Sequence, residues 1–227
     1  MIGIIADDLT GAAEIGAVGV RHGLRAEVIA MRQSAGDADL VCIDTDSRSS
    51  TATEAAQRTL DAANLLIEAG ATWIYKKVDS VLRGQVSAEL EALMKSLGLK
   101  RALLVPANPS LGRVIRDGRY FVGKKPIHET EFAREPEHPR TSAKILELLG
   151  QPKTVPIQIC GIKETLPKSG IIVGETATPS DLRHWAGRRD AKTAVAGAAE
   201  KFGGTRNRRI FRRVVGGHWP RHFNGAR

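Results

Sequence analysis

Ile2-Gly3-Ile4-Ile5-Ala6-Asp7-Asp8-Leu9-Thr10-Gly11 is a short apolar run that stops at two adjacent acids, and small and apolar residues follow as far as Val20. That order reads as strand, loop, helix. The unit recurs downstream. Residues 25–31 and 38–44 read as strands. Residues 50–69 read as a helix, with Thr51 or Ser50 as its cap, Ala55, Ala56, Leu60, Ala63 and Ile67 as its apolar stripe, and Gly70 as its stop. Residues 73–78 read as a strand, 84–97 as a helix ended by Gly98, and 101–106 as a fifth strand. Strands and helices alternating at this spacing predict an α/β fold: a mostly parallel sheet with helices on both faces, three-layered and Rossmann-like.

Segment 107–140 breaks the rhythm. It is rich in Pro, Gly and charge, with a hairpin-like stretch at 120–126. An insertion this long in a compact domain is functional or disordered. Beyond it, 141–149 reads as helix, 154–159 and 170–173 as strands, and 180–188 as a helix capped by Ser180.

The polar residues cluster at strand ends. The first strand runs into Asp7-Asp8-Leu9-Thr10-Gly11 and the third into Asp44-Thr45-Asp46-Ser47-Arg48. The fourth carries Lys76-Lys77-Val78-Asp79-Ser80 and continues to Arg83-Gly84. The fifth ends in Pro106-Ala107-Asn108-Pro109. In a parallel sheet these ends share one edge, where ligands bind. Arg48, Lys77 and Arg83 bring charge and forked donors suited to a carboxylate. Asp7, Asp8 and Asp79 bring acceptors for hydroxyls. A small polyol with one carboxylate matches this mixture better than a base or a lipid.

Plainer readings stand beside each of these. Asp7-Asp8 also reads as a loop carboxylate plus a helix cap, although two adjacent acids repel unless a cation is near. Lys76 and Lys77 point to opposite faces of their strand, so one of them packs elsewhere. Arg83 is equally a surface ion pair, and Ser47-Arg48 a helix entry. His22, His138 and His184 read as surface residues. Replacing Arg83 by Ala is expected to remove binding with little loss of stability.

The net charge of +9 belongs to the tail. Residues 201–227 hold eight of the 34 Lys and Arg and no acid, leaving 26 to set against 25 Asp and Glu. The body is therefore nearly neutral, and the tail's Arg, Phe211, Trp219 and Phe223 imply no specific nucleic-acid partner. No apolar run approaches the roughly 20 residues of a membrane span. The N-terminus lacks a basic region before its apolar run, and Cys42 and Cys160 sit in apolar strands as reduced thiols. A cytoplasmic location is expected.

Three motifs resemble one family. Ala6-Asp7-Asp8-Leu9-Thr10-Gly11-Ala12 is similar to the opening motif of the four-carbon acid sugar kinases. Lys76-Lys77-Val78-Asp79-Ser80-Val81-Leu82-Arg83-Gly84 is similar to a second motif, which usually has Thr at the place of Val81. The third runs from Gly112-Arg113 through Asp117-Gly118 and Tyr120-Phe121-Val122 to Pro126-Ile127-His128-Glu129-Thr130-Glu131-Phe132-Ala133, Pro136 and His138-Pro139; Glu135 stands where the family has Asp. The motifs fall in family order over residues 1–142.

The resemblance implies a two-domain enzyme. Its N-terminal domain holds a threonate, erythronate or 3-oxotetronate. Its C-terminal domain holds ATP, with Mg²⁺, and sends the γ-phosphoryl group to the terminal hydroxyl. By motif position Asp7, Asp8, Lys77, Asp79, Ser80, Arg83 and Gly84 line the sugar-acid pocket, with Arg113 and His128 on a flap beside it, and Arg48, at the end of the third strand, is expected on the same cleft side. Asp7 and Asp8 are the candidates for a catalytic carboxylate. Residues 1–200 are then the sugar-acid domain and 201–227 a basic tail unlike the family, which runs to roughly twice this length. ATP is expected to reach the site through a nucleotide half missing from these residues, and a homodimer is left open. A Mg²⁺-dependent hydrolase using Asp7 or Asp8 fits less well, because that class places its two acids two residues apart.

Overall fold

In a computed structural model, residues 1–31, 37–150, 152, 154–188 and 193–197 are described. The expected tail at 201–227 lies outside them. Eight strands form one sheet: β1 (Ile2–Ala6), β2 (Ala26–Ala30), β3 (Leu40–Asp44), β4 (Trp73–Lys77), β5 (Arg101–Val105), β9 (Ile157–Cys160), β10 (Gly170–Gly174) and β11 (Thr193–Gly197). Their order is β2-β3-β1-β4-β11-β5-β10-β9. Every neighbouring pair is parallel, so all strand C-termini lie along one edge. Three shorter strands, β6 (Arg113–Arg116), β7 (Arg119–Val122) and β8 (Lys125–Pro126), make a separate antiparallel sheet within the insertion.

Hydrophobic alternation explains the layers. Ile2, Ile4 and Ala6 of β1 pack with Ala12, Ile15 and Val18 of helix α1 (Leu9–Arg21) on one face. Ile5 turns to the other face, against Ala62, Ala63 and Leu66 of α2 (Ala52–Glu68) and Leu93 of α3 (Val86–Ser96). On the far half of the sheet, Leu103 and Ile172 meet Trp185 of α5 (Pro179–Gly187), while Ala102, Leu104, Ile171 and Val173 join Leu90 and Met94 of α3. Strands apolar on both sides are what a sheet covered twice requires. Cys42 and Cys160 are both buried and free, and burial pushes the Cys42 thiol up to about 12. Among the described residues no helix is long and apolar enough to cross a membrane.

Several boundaries moved for identifiable reasons. Thr51 caps α2 in a capping box with Glu54, as one of the two residues expected. Helix α5 is capped by Thr178 rather than Ser180: Pro179 has no N–H to satisfy and fits the first turn, while Thr178 accepts from the Asp181 amide. The helix expected over 141–149 is only α4 (Ile145–Leu149), because Ala143 is drawn into the insertion, its carbonyl accepting from the Tyr120 amide at 2.7 Å. Strand β11 was not anticipated. It lies mid-sheet between β4 and β5, joining the first four strands to the last three.

Connections leaving β1 and β4 diverge. Helix α1 leads from β1 toward β2, and α3 leads from β4 toward β5, so their loops part at the C-terminal edge, where sheets of this kind bind ligands. Because β11 bridges the halves, ending the chain after residue 192 is expected to abolish cooperative thermal unfolding, measured by circular dichroism. A transition as sharp and as high as that of the 227-residue chain would contradict this topology.

Candidate active site at the strand C-termini

Register brings the first two motifs together. Ala6 pairs with Asp44 on one side and Lys77 on the other, so the loops after β1, β3 and β4 leave the sheet side by side. Gly197, at the end of β11, pairs with Lys77 and with Val105.

Arg48 joins the two aspartates. Its Nε donates to Asp7 Oδ2 at 2.7 Å and its Nη1 lies 2.7 Å from Asp8 Oδ2. Asp7 is 2% exposed, and its second oxygen, Oδ1, is buried without a hydrogen-bond partner among the described residues. Asp8 also caps α1, accepting from the Gly11 amide at 2.8 Å. Burial opposes the Arg48 charge, but the bond to Asp7 and the charges of Asp7, Asp79 and Asp8 together outweigh it and the guanidinium pKa is raised. The ion pair thus supplies the cation that adjacent acids need. Asp44, the next carboxylate along, is pushed above its usual range by burial, then by the charges of Asp46, Asp8 and Asp7.

The lysines divide as their strand demands. Lys77, 5% exposed, turns toward α1: its Nζ donates to the Val78 carbonyl at 3.0 Å and lies 3.6 Å from Glu14. Gly11 makes room for it, since a Cβ there would sit 3.2 Å from Lys77 Cγ. Lys76 turns to the other face and is wholly buried against Glu89 of α3, 3.0 Å away.

Asp79 organises the loop after β4. Its Oδ2 accepts from the Val81 and Arg83 amides and from Arg83 Nε, each at 3.1 Å, while Oδ1 accepts from Arg83 Nη2 at 2.9 Å. Arg83 also donates to Glu135 at 3.2 Å. Gly84, at φ +84°, brings this loop against the first: a Cβ there would meet Asp7 Oδ2 at 3.4 Å and Arg48 Cα at 3.5 Å.

The insertion closes over these loops. Arg113 donates to Ser80 Oγ and stacks on Phe132, while the Tyr120 hydroxyl donates to the Ser80 carbonyl. Arg140, 8% exposed, donates to the Leu82 carbonyl at 2.8 Å. His138 is no loose surface residue: its Nε2 is 2.8 Å from the Arg48 carbonyl. His128 turns to its own neighbour instead, Nε2 lying 3.8 Å from Glu129, with Nδ1 buried and unpartnered among the described residues. Asp7, Asp8, Arg48, Lys77, Asp79, Ser80, Arg83, Gly84 and Arg113 therefore meet at one edge; His128 belongs to the insertion beside them. Sequence reasoning passed over Glu89, Arg140 and the His138 contact. The acid three residues into α3 looked like any helix surface residue, and the other two depend on how the insertion folds back. Among the described residues no group of three His, Cys, Asp or Glu is arranged to hold a metal ion.

The Arg83–Asp79 geometry corrects the expectation that Arg83 can be removed at little cost. Burial pushes Asp79 up, yet the bonds from Arg83 prevail and hold its carboxyl below the usual range. A carboxyl with a lowered folded-state pKa adds stability above its unfolded value near 3.9, and loses it as pH falls through the folded value. Arg83→Ala should therefore cost about 2 kcal/mol near pH 7, since Asp79 is left buried while Arg83 was partly solvated. Urea denaturation should show that difference shrinking below pH 3. Equal losses at both pH values, or none at pH 7, would contradict it.

With the geometry in place, the comparisons converge. A D-threonate kinase of Salmonella typhimurium is 35% identical over 157 residues, 68% of this chain and 37% of that protein. A 3-oxo-tetronate kinase of Actinobacillus succinogenes is 34% identical, over 66% of this chain and 38% of its own. A D-erythronate kinase of Heliobacterium modesticaldum is 28% identical, over 79% and 46%. The matches thus span less than half of these relatives' length. Among solved structures, a Bordetella bronchiseptica domain of unknown function with bound citrate, a domain-swapped dimer, superposes with a TM-score of 0.76 at 28% identity, covering 87% of this chain and 53% of that one. A Haemophilus influenzae protein gives 0.75 at 25%, over 86% and 53%. The family of sugar-binding N-terminal domains matches residues 2–199, and the chain belongs to that family.

Proposed function

We propose that residues 1–200 form the acceptor-binding side of an ATP-dependent kinase that phosphorylates the terminal hydroxyl of a four-carbon sugar acid: a threonate, an erythronate or a 3-oxotetronate. One observation carries this reading. Asp7 is almost fully buried at the strand edge, one carboxylate oxygen is tied to Arg48, and the other has no partner. A buried acceptor left open is costly, and a ligand hydroxyl would satisfy it. The names of the kinase relatives give the substrate class.

On this reading Asp7 Oδ1 accepts from a substrate hydroxyl and Asp8, already shared between Arg48 and the α1 cap, holds the second acid in place. Lys77 and Arg83 face the substrate carboxylate, the latter steadied by Asp79 and Glu135. Ser80, Gly84 and Arg113 form the wall, and His128 lies on the flap. Phosphoryl transfer depends on positioning and charge neutralisation. These side chains orient the acceptor, with Asp7 the carboxylate placed to take the hydroxyl proton. ATP and Mg²⁺ belong to the nucleotide-binding half that the family resemblance implies, in a cytoplasmic enzyme. The Bordetella neighbour's dimer keeps a homodimer within the reading.

A thermal-shift series with D-threonate, D-erythronate and 3-oxotetronate should raise the melting temperature with at least one of them, and ATP alone should not. Asp7→Ala should weaken that ligand about 10-fold or more while remaining folded, as expected for losing a charged hydrogen bond. Stabilisation by ATP and by none of the three acids would overturn the proposal.

A further inference from the structure

Beneath the Arg48 ion pair lies a second, hidden one. Lys76 and Glu89 are 0% and 1% exposed, with Lys76 Nζ 3.0 Å from Glu89 Oε2 and 3.3 Å from the Lys77 carbonyl. Such a pair is weak evidence of stabilisation, because desolvating two charges costs about what their attraction returns. Its other contacts show what it reaches. Glu89 Oε1 accepts from Ser47 Oγ at 2.6 Å, Ser47 Oγ is 2.8 Å from Thr45 Oγ1, and Thr45 Oγ1 donates to the Ala6 carbonyl at 2.8 Å. Two hydroxyl protons serve three contacts, and the Glu89 charge fixes where the Ser47 proton goes.

Ser47 immediately precedes Arg48. The amides of both residues donate to the Asp7 carbonyl, at 3.0 and 3.2 Å. The turn carrying Arg48 is thus stitched to β1 through its backbone, held from below by Glu89 through Ser47, and held from the insertion by His138 on the Arg48 carbonyl. Helix α3 reaches this turn through the Ser47 hydroxyl on Glu89 and through Gln85, its N-cap, on the Ser50 carbonyl.

We infer that Glu89, clamped by Lys76, is a positioning residue: through Ser47 it sets the turn that aims the Arg48 guanidinium at Asp7 and Asp8, and so leaves Asp7 Oδ1 open for a substrate hydroxyl. The inference rests on the proposed sugar-acid reading only for the ligand used to read it out. Buried charge is retained here for geometry; in binding and catalytic sites generally, a misplacement of about 1 Å can weaken function about 100-fold.

Ser47→Ala is the direct test, since it cuts the link and leaves the Lys76–Glu89 pair intact. One measurement needs no ligand. In ¹H–¹⁵N spectra the Arg48 Nε–H, assigned by its disappearance in Arg48→Lys, should be a resolved, slowly exchanging signal in the parent and broadened or lost in S47A, which should still unfold cooperatively at a lower melting temperature because Glu89 Oε1 loses its hydroxyl donor. The second is affinity for whichever sugar acid stabilises the parent, expected to weaken about 10-fold. Should S47A fold poorly, K76M/E89Q removes both charges together without stranding either, and the same loss of the Arg48 signal is expected. If the parent binds no sugar acid, the proposed function fails and the spectral test still stands. An unchanged Arg48 signal, or parental affinity in a folded variant, would overturn the positioning role.

Discussion

Two carboxylates side by side at the end of a buried strand repel each other, and one of them here is almost wholly withdrawn from water. Arg48 answers that repulsion with a bond to each, reaching across from the loop after β3. The rest of the edge depends on that bridge. It draws the β3 loop over β1, and Gly84 then lets the β4 loop come against both. A side chain at position 84 would be strained by the positive φ. The unpaired oxygen of Asp7 is a consequence of this closeness: the carboxylate is held by one oxygen, and the other is sealed from solvent with no hydrogen-bond partner among the described residues.

The insertion behaves as a strap. Glu135, His138 and Arg140 bind Arg83, the Arg48 carbonyl and the Leu82 carbonyl, while Arg113 and Tyr120 both fasten on Ser80. A segment that reads as irregular therefore gives up its own loop entropy to hold two loops at the C-terminal edge of the sheet, which is a reason for so long an interruption in a parallel sheet. Glu135 reaches Arg83 at 3.2 Å and so ties this strap to the β4 loop.

Much of this was legible from short-range signals. Apolar runs ending in Asp7-Asp8, Asp44 and Lys76-Lys77 fixed the strands, and parallel pairing followed from the helices between them. The convergence of Asp7, Lys77 and Asp79 followed from the shared edge. What escaped was non-local. β11 is five small residues, Thr-Ala-Val-Ala-Gly, with no turn signal to frame it, and its mid-sheet place is set by the gap between β4 and β5. The burial of Lys76 and Glu89 could be guessed on the lysine side from strand alternation, but its partner lies across the sheet. That Arg83 pairs with both Asp79 and Glu135 was not legible, because sequence shows the cation and not the carboxylates that claim it.

The central claim is that Arg48 and Asp7 act as one unit. A double-mutant cycle of Asp7→Asn, Arg48→Met and the pair, measured by chemical denaturation, tests it most directly. For a pair this desolvated the account predicts a coupling of about 2 kcal/mol, with the double variant less destabilised than the two single losses added together. A coupling under about 0.5 kcal/mol, the ordinary scatter for independent sites, would mean that the two side chains do not hold each other and that the edge is organised by something else.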